Sequence, residues 1–287
     1  MANVLLLRAP SHGQEDRYQT TFAEAGYQSI SVLVLETIST NLPTLKDIIK
    51  NGPAADNFDG VILTSARSCE VWKSAVGDLI DSSAGVGDSW SSTPFYVVGR
   101  ATASALAEVR QTYGQTPYTP EIICGESSGT GERLAQYIRD LTIKPKRLLY
   151  LTGDKNRDTV PSILGEAGIE IYSLKVYETQ GSPTFEKDLK HALSQANTAF
   201  HRWWIVHFAP SAADFVTPIL GDHFSFGSGD PLKEILSKPT PRVAAIGSVT
   251  AAFLRDELKI HVHVAPPKPT PQDLVAAIVG YDRDSAS

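Results

Sequence analysis

Cysteine, methionine, long apolar runs and surplus positive charge are all scarce in this 287-residue chain, and each scarcity removes a class of protein. There are two cysteines and one methionine. Cys69 and Cys124 have neither metal-ligand spacing nor the numbers of a disulfide framework. They read as buried or half-buried thiols in a reducing compartment, which places the chain in the cytoplasm. No apolar run approaches the ~20 residues that cross a bilayer. Val4-Leu-Leu-Leu7 is too short for a signal-peptide core, follows no basic segment, and reads as a buried first strand. A formal net charge of −6 lacks the basic stripe of a nucleic-acid binder. An anionic small ligand stays possible, through helix N-termini or a few placed cations.

Familiar chemical fingerprints are missing as well. No Gly-x-Gly-x-x-Gly follows a strand, and Gly125-Glu-Ser-Ser-Gly-Thr-Gly131 lacks the Gly-Lys-Ser/Thr ending of a phosphate loop. No Ser/His/Asp or Cys/His constellation is discernible. His261 and His263 fall on one face of an expected strand with no third ligand, which leaves no metal site.

What is present is a soluble globular composition, 42% hydrophobic and 20% charged, long enough for one large domain or two ordinary ones. It also holds a repeat, which is read first because it decides architecture. Glu24-Ala-Gly-Tyr-Gln-Ser-Ile-Ser-Val-Leu-Val-Leu35-Glu-Thr37 returns at an offset of 142 as Glu166-Ala-Gly-Ile-Glu-Ile-Tyr-Ser-Leu-Lys-Val-Tyr177-Glu-Thr179, with seven of fourteen positions identical. Ordinary residue usage gives roughly one match by chance. Where the first copy has Leu35, the second has Tyr177.

Short apolar runs followed by a turn and a helical pattern recur along the chain, the signature of parallel sheets with helices on their faces. Strands are expected at 4–8, 30–36, 61–65, 95–99, 122–125, 147–153, a run ending at 179, 204–208, 243–247 and 261–264. Helices are expected at about 15–25, through Arg67 and Trp72, and at 101–109, 131–141 and 158–167, with Thr270 and Pro271 opening another as N-cap and first-turn proline. The units from 204 onward match those of the middle segment in order, and the one missing at the C-terminus is supplied by residues 4–37. A 37-residue opening cannot bury a core alone. The fold class is therefore α/β, with a continuous domain at 39–171 and a discontinuous one made of 1–34 and 181–287. Two linker strands, 35–38 and 172–180, join them. The Gly/Ser/Asp-rich stretches 81–93 and 221–240 read as surface insertions.

Ligands of parallel α/β sheets bind beyond the carboxyl ends of the strands. Those ends carry Thr64-Ser65 with Arg67, Gly99-Arg100-Ala-Thr102, Gly153 with Lys155 and Arg157, Pro210-Ser211, and Gly247-Ser248-Val-Thr250. Single hydroxyl residues at such turns are usually plain N-caps. The Gly-x-x-Thr-Ala turn, however, appears twice at equivalent places. Tyr177 is set apart by its leucine counterpart: a packing site would accept leucine in both copies, whereas a phenol adds a weak acid that is ordinarily protonated near neutral pH.

Val4-Leu-Leu-Leu-Arg8, Leu63-Thr-Ser65, Val97-Val-Gly-Arg-Ala-Thr-Ala103, Gly153 with Lys155 and Arg157, Val176-Tyr-Glu-Thr179, Phe208-Ala-Pro-Ser211, Ile246-Gly-Ser-Val-Thr-Ala251 and 265–270, in this order, resemble the uroporphyrinogen-III synthase family over nearly the whole chain. The resemblance implies two flavodoxin-like domains, one discontinuous, joined by a two-stranded antiparallel linker with the active site in the interdomain cleft. It implies a lyase that needs no cofactor, with hydroxymethylbilane as substrate. That linear tetrapyrrole loses its terminal hydroxyl as water, ring D attacks through its substituted α-carbon, and a spiro intermediate recloses with ring D inverted to give uroporphyrinogen III. Unaided, the bilane closes to the uninverted isomer I, so the enzyme mainly holds a flexible chain in one geometry. Tyr177 matches the tyrosine that assists hydroxyl loss. Thr64, Ser65, Gly99, Thr102, Ser211, Gly247 and Thr250 match turns that hold acetate and propionate groups, largely through backbone N–H groups. Ala209 stands where many relatives have serine, so any contact there is limited to its N–H. The expectation is a monomeric enzyme with no nucleic-acid or membrane partner. The rival is a non-catalytic tetrapyrrole- or small-ligand-binding protein of the same fold, against which the retained Tyr177 argues.

Overall fold

The computed structural model describes residues 2–11, 13, 15–82, 87–226 and 238–285. Strand and helix alternate through most of the chain: β1 (Asn3–Leu7), α1 (Arg17–Glu24), β2 (Gln28–Ser31), β3 (Leu35–Ser39), α2 (Leu42–Asn51), β4 (Gly60–Leu63), α3 (Ala66–Asp81), β5 (Pro94–Val97), α4 (Gly99–Tyr113), β6 (Ile122–Cys124), α5 (Gly131–Arg139), β7 (Arg147–Gly153), α6 (Thr159–Glu166), β8 (Glu170–Gly181), α7 (Phe185–Ser194), β9 (Trp203–His207), α8 (Pro210–Leu220), β10 (Arg242–Ala245), α9 (Ser248–Asp256) and α10 (Pro271–Asp284). The chain divides into two compact units, Met1–Glu36 with Gln180–Ser287, and Thr37–Thr179. Each has a sheet whose strand neighbours are parallel in β10-β9-β1-β2 and in β8-β7-β4-β5-β6, with β3 on the outer side of β8.

Strand alternation builds the core of the unit Thr37–Thr179. Val61, Leu63, Phe95, Val97, Leu149 and Leu151 face one side of the sheet, where α2, α3 and α4 cover them, while Ile62, Tyr96, Leu148 and Tyr150 face α5 and α6 on the other. Trp72 lies edge-on to Trp90 and Phe95, with ring centroids 5.3 and 5.0 Å apart. Each such pair adds ~0.5–1.5 kcal/mol beyond its buried area. In the other unit Leu5, Leu7 and Ile205 pack under α7 and α8 on one face. Val4, Leu6, Trp204 and Val206 pack under α1 and α10 on the other.

Several expectations need correcting. Residues 30–36 do not form one strand: β2 ends at Ser31 and β3 begins at Leu35, with Val32 and Val34 buried between them. The equivalent stretch of the second repeat copy stays continuous as the 12-residue β8. Residues 261–264 form no strand, only a single bridge between Ala244 and Val264, because a segment at the sheet edge has one neighbour and the four-residue β10 is short. The stretches 81–93 and 221–240 are not wholly surface insertions. Trp90 is fully buried and donates its indole N–H to the Ile49 carbonyl at 2.8 Å, and Phe224 is buried against α7 and α8. Residues 83–86 and 227–237 of those stretches lie outside the described residues. Helices α2 and α7 have no counterpart among the expected elements.

Candidate active site

In the unit Thr37–Thr179 the chain reverses its winding direction between β7 and β4, which are neighbours in the sheet although they are far apart in sequence. The carboxyl ends of two such strands splay their loops apart and leave a crevice. A cavity of about 440 Å³ lies there, lined by Thr64, Thr130, Gly131, Tyr150, Lys155, Asn156 and Arg157, with Glu132, Thr159 and Val160 completing the wall. Thr64, Lys155 and Arg157 were expected at the site. Tyr150, Asn156, Thr130 and Gly131 were not. Lys155 and Arg157 are exposed, and two cations beside the first turns of α5 and α6 give this crevice the means to hold a carboxylate.

Tyr150 explains how the crevice keeps its shape. It is buried at the centre of β7, donates to Asn156 Oδ1 at 2.7 Å, and its hydroxyl lies 3.3 Å from Thr64 Oγ1. One side chain thus ties the end of β4 to the loop that carries Lys155 and Arg157. Burial pushes its phenol above the ordinary range, so it stays a neutral donor.

Tyr177 sits half-buried on β8, opposite Gly153. A bulge between Thr152 and Gly153 shifts the register there, and the ring lies directly on the glycine. A Cβ added at Gly153 would meet Tyr177 Cε2 at 2.3 Å and Cζ at 2.4 Å. Gly153 was expected to touch the ligand; its visible role is to seat this ring. Ser65 Oγ donates to the Tyr177 hydroxyl oxygen at 3.1 Å. A small recess of about 150 Å³ beside the ring is lined by Thr37, Ile38, Ser39, Arg67, Glu70 and Val71, so Arg67 is brought to Tyr177 while the Lys155 loop borders the larger crevice. Arg100 borders a different surface hollow, with Ala103, Ser104, Ala107, Ile123 and Glu126.

Helix caps sort the remaining turn residues. Ser65 caps α3 by accepting from Ser68 N–H, and Thr130 and Thr270 cap α5 and α10 in the same way. By contrast α4, α8 and α9 start at Val98, Ala209 and Gly247 with no side-chain cap, as do α2, α6 and α7, so their first-turn N–H groups are left for another acceptor. Gly99, Arg100, Ser211 and Ser248 belong to those uncapped starts. Thr102 and Thr250 are 5% and 4% exposed and occupy matching buried positions in the first turns of α4 and α9.

In the other unit the winding reverses between β1 and β9. Arg8, just past β1, pairs with Asp16 at 2.8 Å and lies over the rings of Tyr18 and Phe208 at 4.9 and 5.7 Å. Burial alone would raise the Asp16 carboxyl. Backbone hydrogen bonds from Ser11 and Gln19, with the Arg8 charge, outweigh it and hold the group below its ordinary range. Among the described residues no group of three or more His, Cys, Asp or Glu is placed to hold a metal. His263 is a structural histidine whose Nδ1 accepts from Val243 N–H at 3.1 Å. The Cys69 thiol is pushed up to about 12 by burial, which makes it unreactive. No helix among the described residues is long and apolar enough to cross a membrane.

The model of the family Uroporphyrinogen-III synthase HemD matches residues 16–276. The chain belongs to the uroporphyrinogen-III synthase family. The uroporphyrinogen-III synthase of Schizosaccharomyces pombe is 27% identical over 292 residues, covering 100% of both chains. That of Saccharomyces cerevisiae is 26% identical over 276 residues, covering 93% of this chain and 92% of its own. Among solved structures, uroporphyrinogen-III synthetase from Helicobacter pylori is similar at 14% identity, with a TM-score of 0.49 and coverage of 98% and 99%. A mutant uroporphyrinogen III synthase from Thermus thermophilus is similar at 17% identity, with a TM-score of 0.41 and coverage of 100% and 99%.

Proposed function

We propose that the chain cyclises hydroxymethylbilane, with loss of water and inversion of ring D, to uroporphyrinogen III. It is then a hydro-lyase of tetrapyrrole and haem biosynthesis. The observation that carries the catalytic assignment is the state of the Tyr177 phenol. Its oxygen accepts from Ser65, which leaves its own proton uncommitted, and its ring packs over Gly153, where a side chain would collide with it. Tyr177 is the acid that protonates the departing hydroxyl of the bilane. The substrate's carboxylates are held by Thr64, Lys155 and Arg157 around the β4–β7 crevice, by Arg67 beside Tyr177, and by first-turn N–H groups at Ser65, Gly99, Arg100, Thr102, Ser211, Gly247, Ser248 and Thr250. The uncapped starts of α4, α8 and α9 support this reading, since an acceptor there removes the cost of unpaired donors. Binding through dipoles and a few cations is how a chain of net charge −6 can take a polyanion.

We read residues 1–34 with 181–287 and residues 39–171 as two flavodoxin-like domains, with β3 and β8 as their antiparallel linker. Support comes from two hydrogen bonds, Thr40 N–H to the Val176 carbonyl at 2.8 Å and Ser182 N–H to the Val34 carbonyl at 2.7 Å, the spacing of an antiparallel pair.

The test is incubation with freshly generated hydroxymethylbilane, oxidation, and chromatographic separation of the isomers. The expected product is isomer III. Accumulation of isomer I alone refutes the synthase reading and leaves a tetrapyrrole binder. Tyr177→Phe should slow isomer III formation by roughly 10²-fold, the scale of one general acid, with unchanged thermal unfolding. A wild-type rate would make Tyr177 a packing residue.

A further inference from the structure

Behind Tyr177 lies a line of hydroxyls that ends in the buried core. Ser65 Oγ donates to the Tyr177 oxygen at 3.1 Å, Ser65 Oγ and Ser68 Oγ are 2.8 Å apart, and Ser68 Oγ donates to the Leu151 carbonyl of β7 at 3.3 Å. Ser68 N–H also donates to Ser65 Oγ at 3.2 Å, which fixes that oxygen at the start of α3. Ser68 is fully buried. Burying a hydroxyl costs free energy unless it is bonded, and a serine inside a helix usually returns its hydroxyl to the backbone of its own turn. Ser68 instead reaches another strand and a second side chain that touches Tyr177. Alanine would fill the same core position with no polar group to satisfy.

We propose that Ser65 and Ser68 form a hydroxyl relay behind Tyr177, positioning its phenol oxygen as a hydrogen-bond acceptor and stabilising the phenolate left when its proton departs. The proposal rests on Tyr177 being the acid. Before reaction Ser68 donates to Leu151, and the single Ser65 proton is shared between Ser68 and Tyr177. The Tyr177 proton then passes to the bilane hydroxyl and the C–O bond breaks. Its electron pair leaves on water, and the pyrrole nitrogen lone pair forms the azafulvenium. The Ser65 proton turns wholly to the phenolate and the Ser68 proton turns to Ser65. The Leu151 carbonyl loses one donor, at a site already within the sheet. Only hydrogens reorient; no heavy atom moves, which is the condition for pre-organised stabilisation of a developing charge. The proton that the closed macrocycle loses from carbon restores the phenol.

Ser65 and Ser68 are positioning residues, so the test must read the ionisation of Tyr177. Ser65→Ala should lower kcat about tenfold and Ser68→Ala about threefold, since Ser68 acts through Ser65. KM should hold in both. The alkaline limb of the kcat profile, where the acid is lost, should move to higher pH by about one pH unit in Ser65→Ala and less in Ser68→Ala. The phenolate ultraviolet absorbance, taken as the difference from Tyr177→Phe, should move with it. Ser65→Thr, which keeps the cap and the hydroxyl, should restore the limb, and this separates the relay from the loss of the α3 cap. In a Tyr177→Phe background, Ser68→Ala should change nothing further. The relay is overturned if Ser68→Ala leaves kcat and the limb unmoved while Tyr177→Phe is slow. It is equally overturned if Ser68→Ala slows both backgrounds alike. A wild-type rate in Tyr177→Phe removes the acid itself, and the relay with it.

Discussion

Gly153 gives the sharpest test of how the site is built, because its replacement displaces Tyr177 while leaving the phenol chemically unaltered. In Gly153→Ala the new methyl would lie 2.3 Å from Tyr177 Cε2, 2.4 Å from Cζ and 2.8 Å from the hydroxyl oxygen. Carbon atoms settle at about 3.5–4.0 Å, so the ring must retreat by on the order of 1 Å. Overpacking of this kind costs about 1–3 kcal/mol. Reduced freedom of the unfolded chain returns about 0.4–1 kcal/mol, which leaves a modest net destabilisation. Catalysis should suffer more. A displacement of ~1 Å at the reacting group can cost on the order of 10²-fold, so Gly153→Ala should approach the rate of Tyr177→Phe while remaining folded. Because unassisted bilane closes to isomer I, the product ratio should swing toward that isomer as the rate falls. The measurement is initial isomer III formation with thermal unfolding alongside. It is then repeated in the Tyr177→Phe background, where the methyl should cost little more. A wild-type rate in Gly153→Ala, or an equal further loss in the Tyr177→Phe background, would show that Gly153 serves the substrate rather than the tyrosine.

Two other perturbations test separate parts of the molecule. Gly247 has extended backbone and nothing within 4 Å of a built Cβ. Gly247→Ala should therefore cost about 1 kcal/mol or less, through the N-cap alone, yet raise KM several-fold if a carboxylate closes on the α9 turn; an unchanged KM would remove that turn from the site. His207 is buried with neither ring nitrogen partnered, and burial lowers it to about 3. Its folded value lies below the ordinary 6.5, so the unfolded chain binds a proton that the native state refuses. Stability should be full above about pH 6.5 and fall by about 1.4 kcal/mol per pH unit below it, down towards pH 3. His207→Leu should flatten that slope by one proton in denaturant titrations at several pH values, and an unaltered slope would show that His207 does not carry the effect.

Most strands could be read in the chain because a short apolar run ended by glycine or a hydroxyl residue is a local signal. The run 147–153 coincides with β7 at both ends. The misses occurred where the decision is not local. Val32 and Val34 continue the alternating pattern of Ile30, so nothing in composition marks the point at which the chain leaves one set of hydrogen-bond partners for another. Residues 261–264 have strand composition but one neighbour. The isolated Trp90 sits in a Gly/Ser-rich stretch whose composition says surface, while its indole packs edge-on against both Trp72 and Phe95.

The site was legible to the extent that turns are legible, and the side chains behind those turns were not. Ser65 is both the helix cap that statistics favour and the donor to Tyr177, so the bland and the chemical readings of that residue describe the same oxygen. Tyr150 offered a signal, a phenol in the middle of a leucine run, that only its distances to Thr64 and Asn156 turn into a role. Ser68 offered none. The mismatch between Leu35 and Tyr177 follows from what lies across the sheet. Leu35 packs against the apolar layer under α7 and α8. Tyr177 instead meets a bulge with no side chain at Gly153 and a serine hydroxyl in reach. The two copies share half of this stretch yet differ in strand continuity, and only in the second does the neighbouring strand leave room for a phenol with a hydroxyl donor beside it.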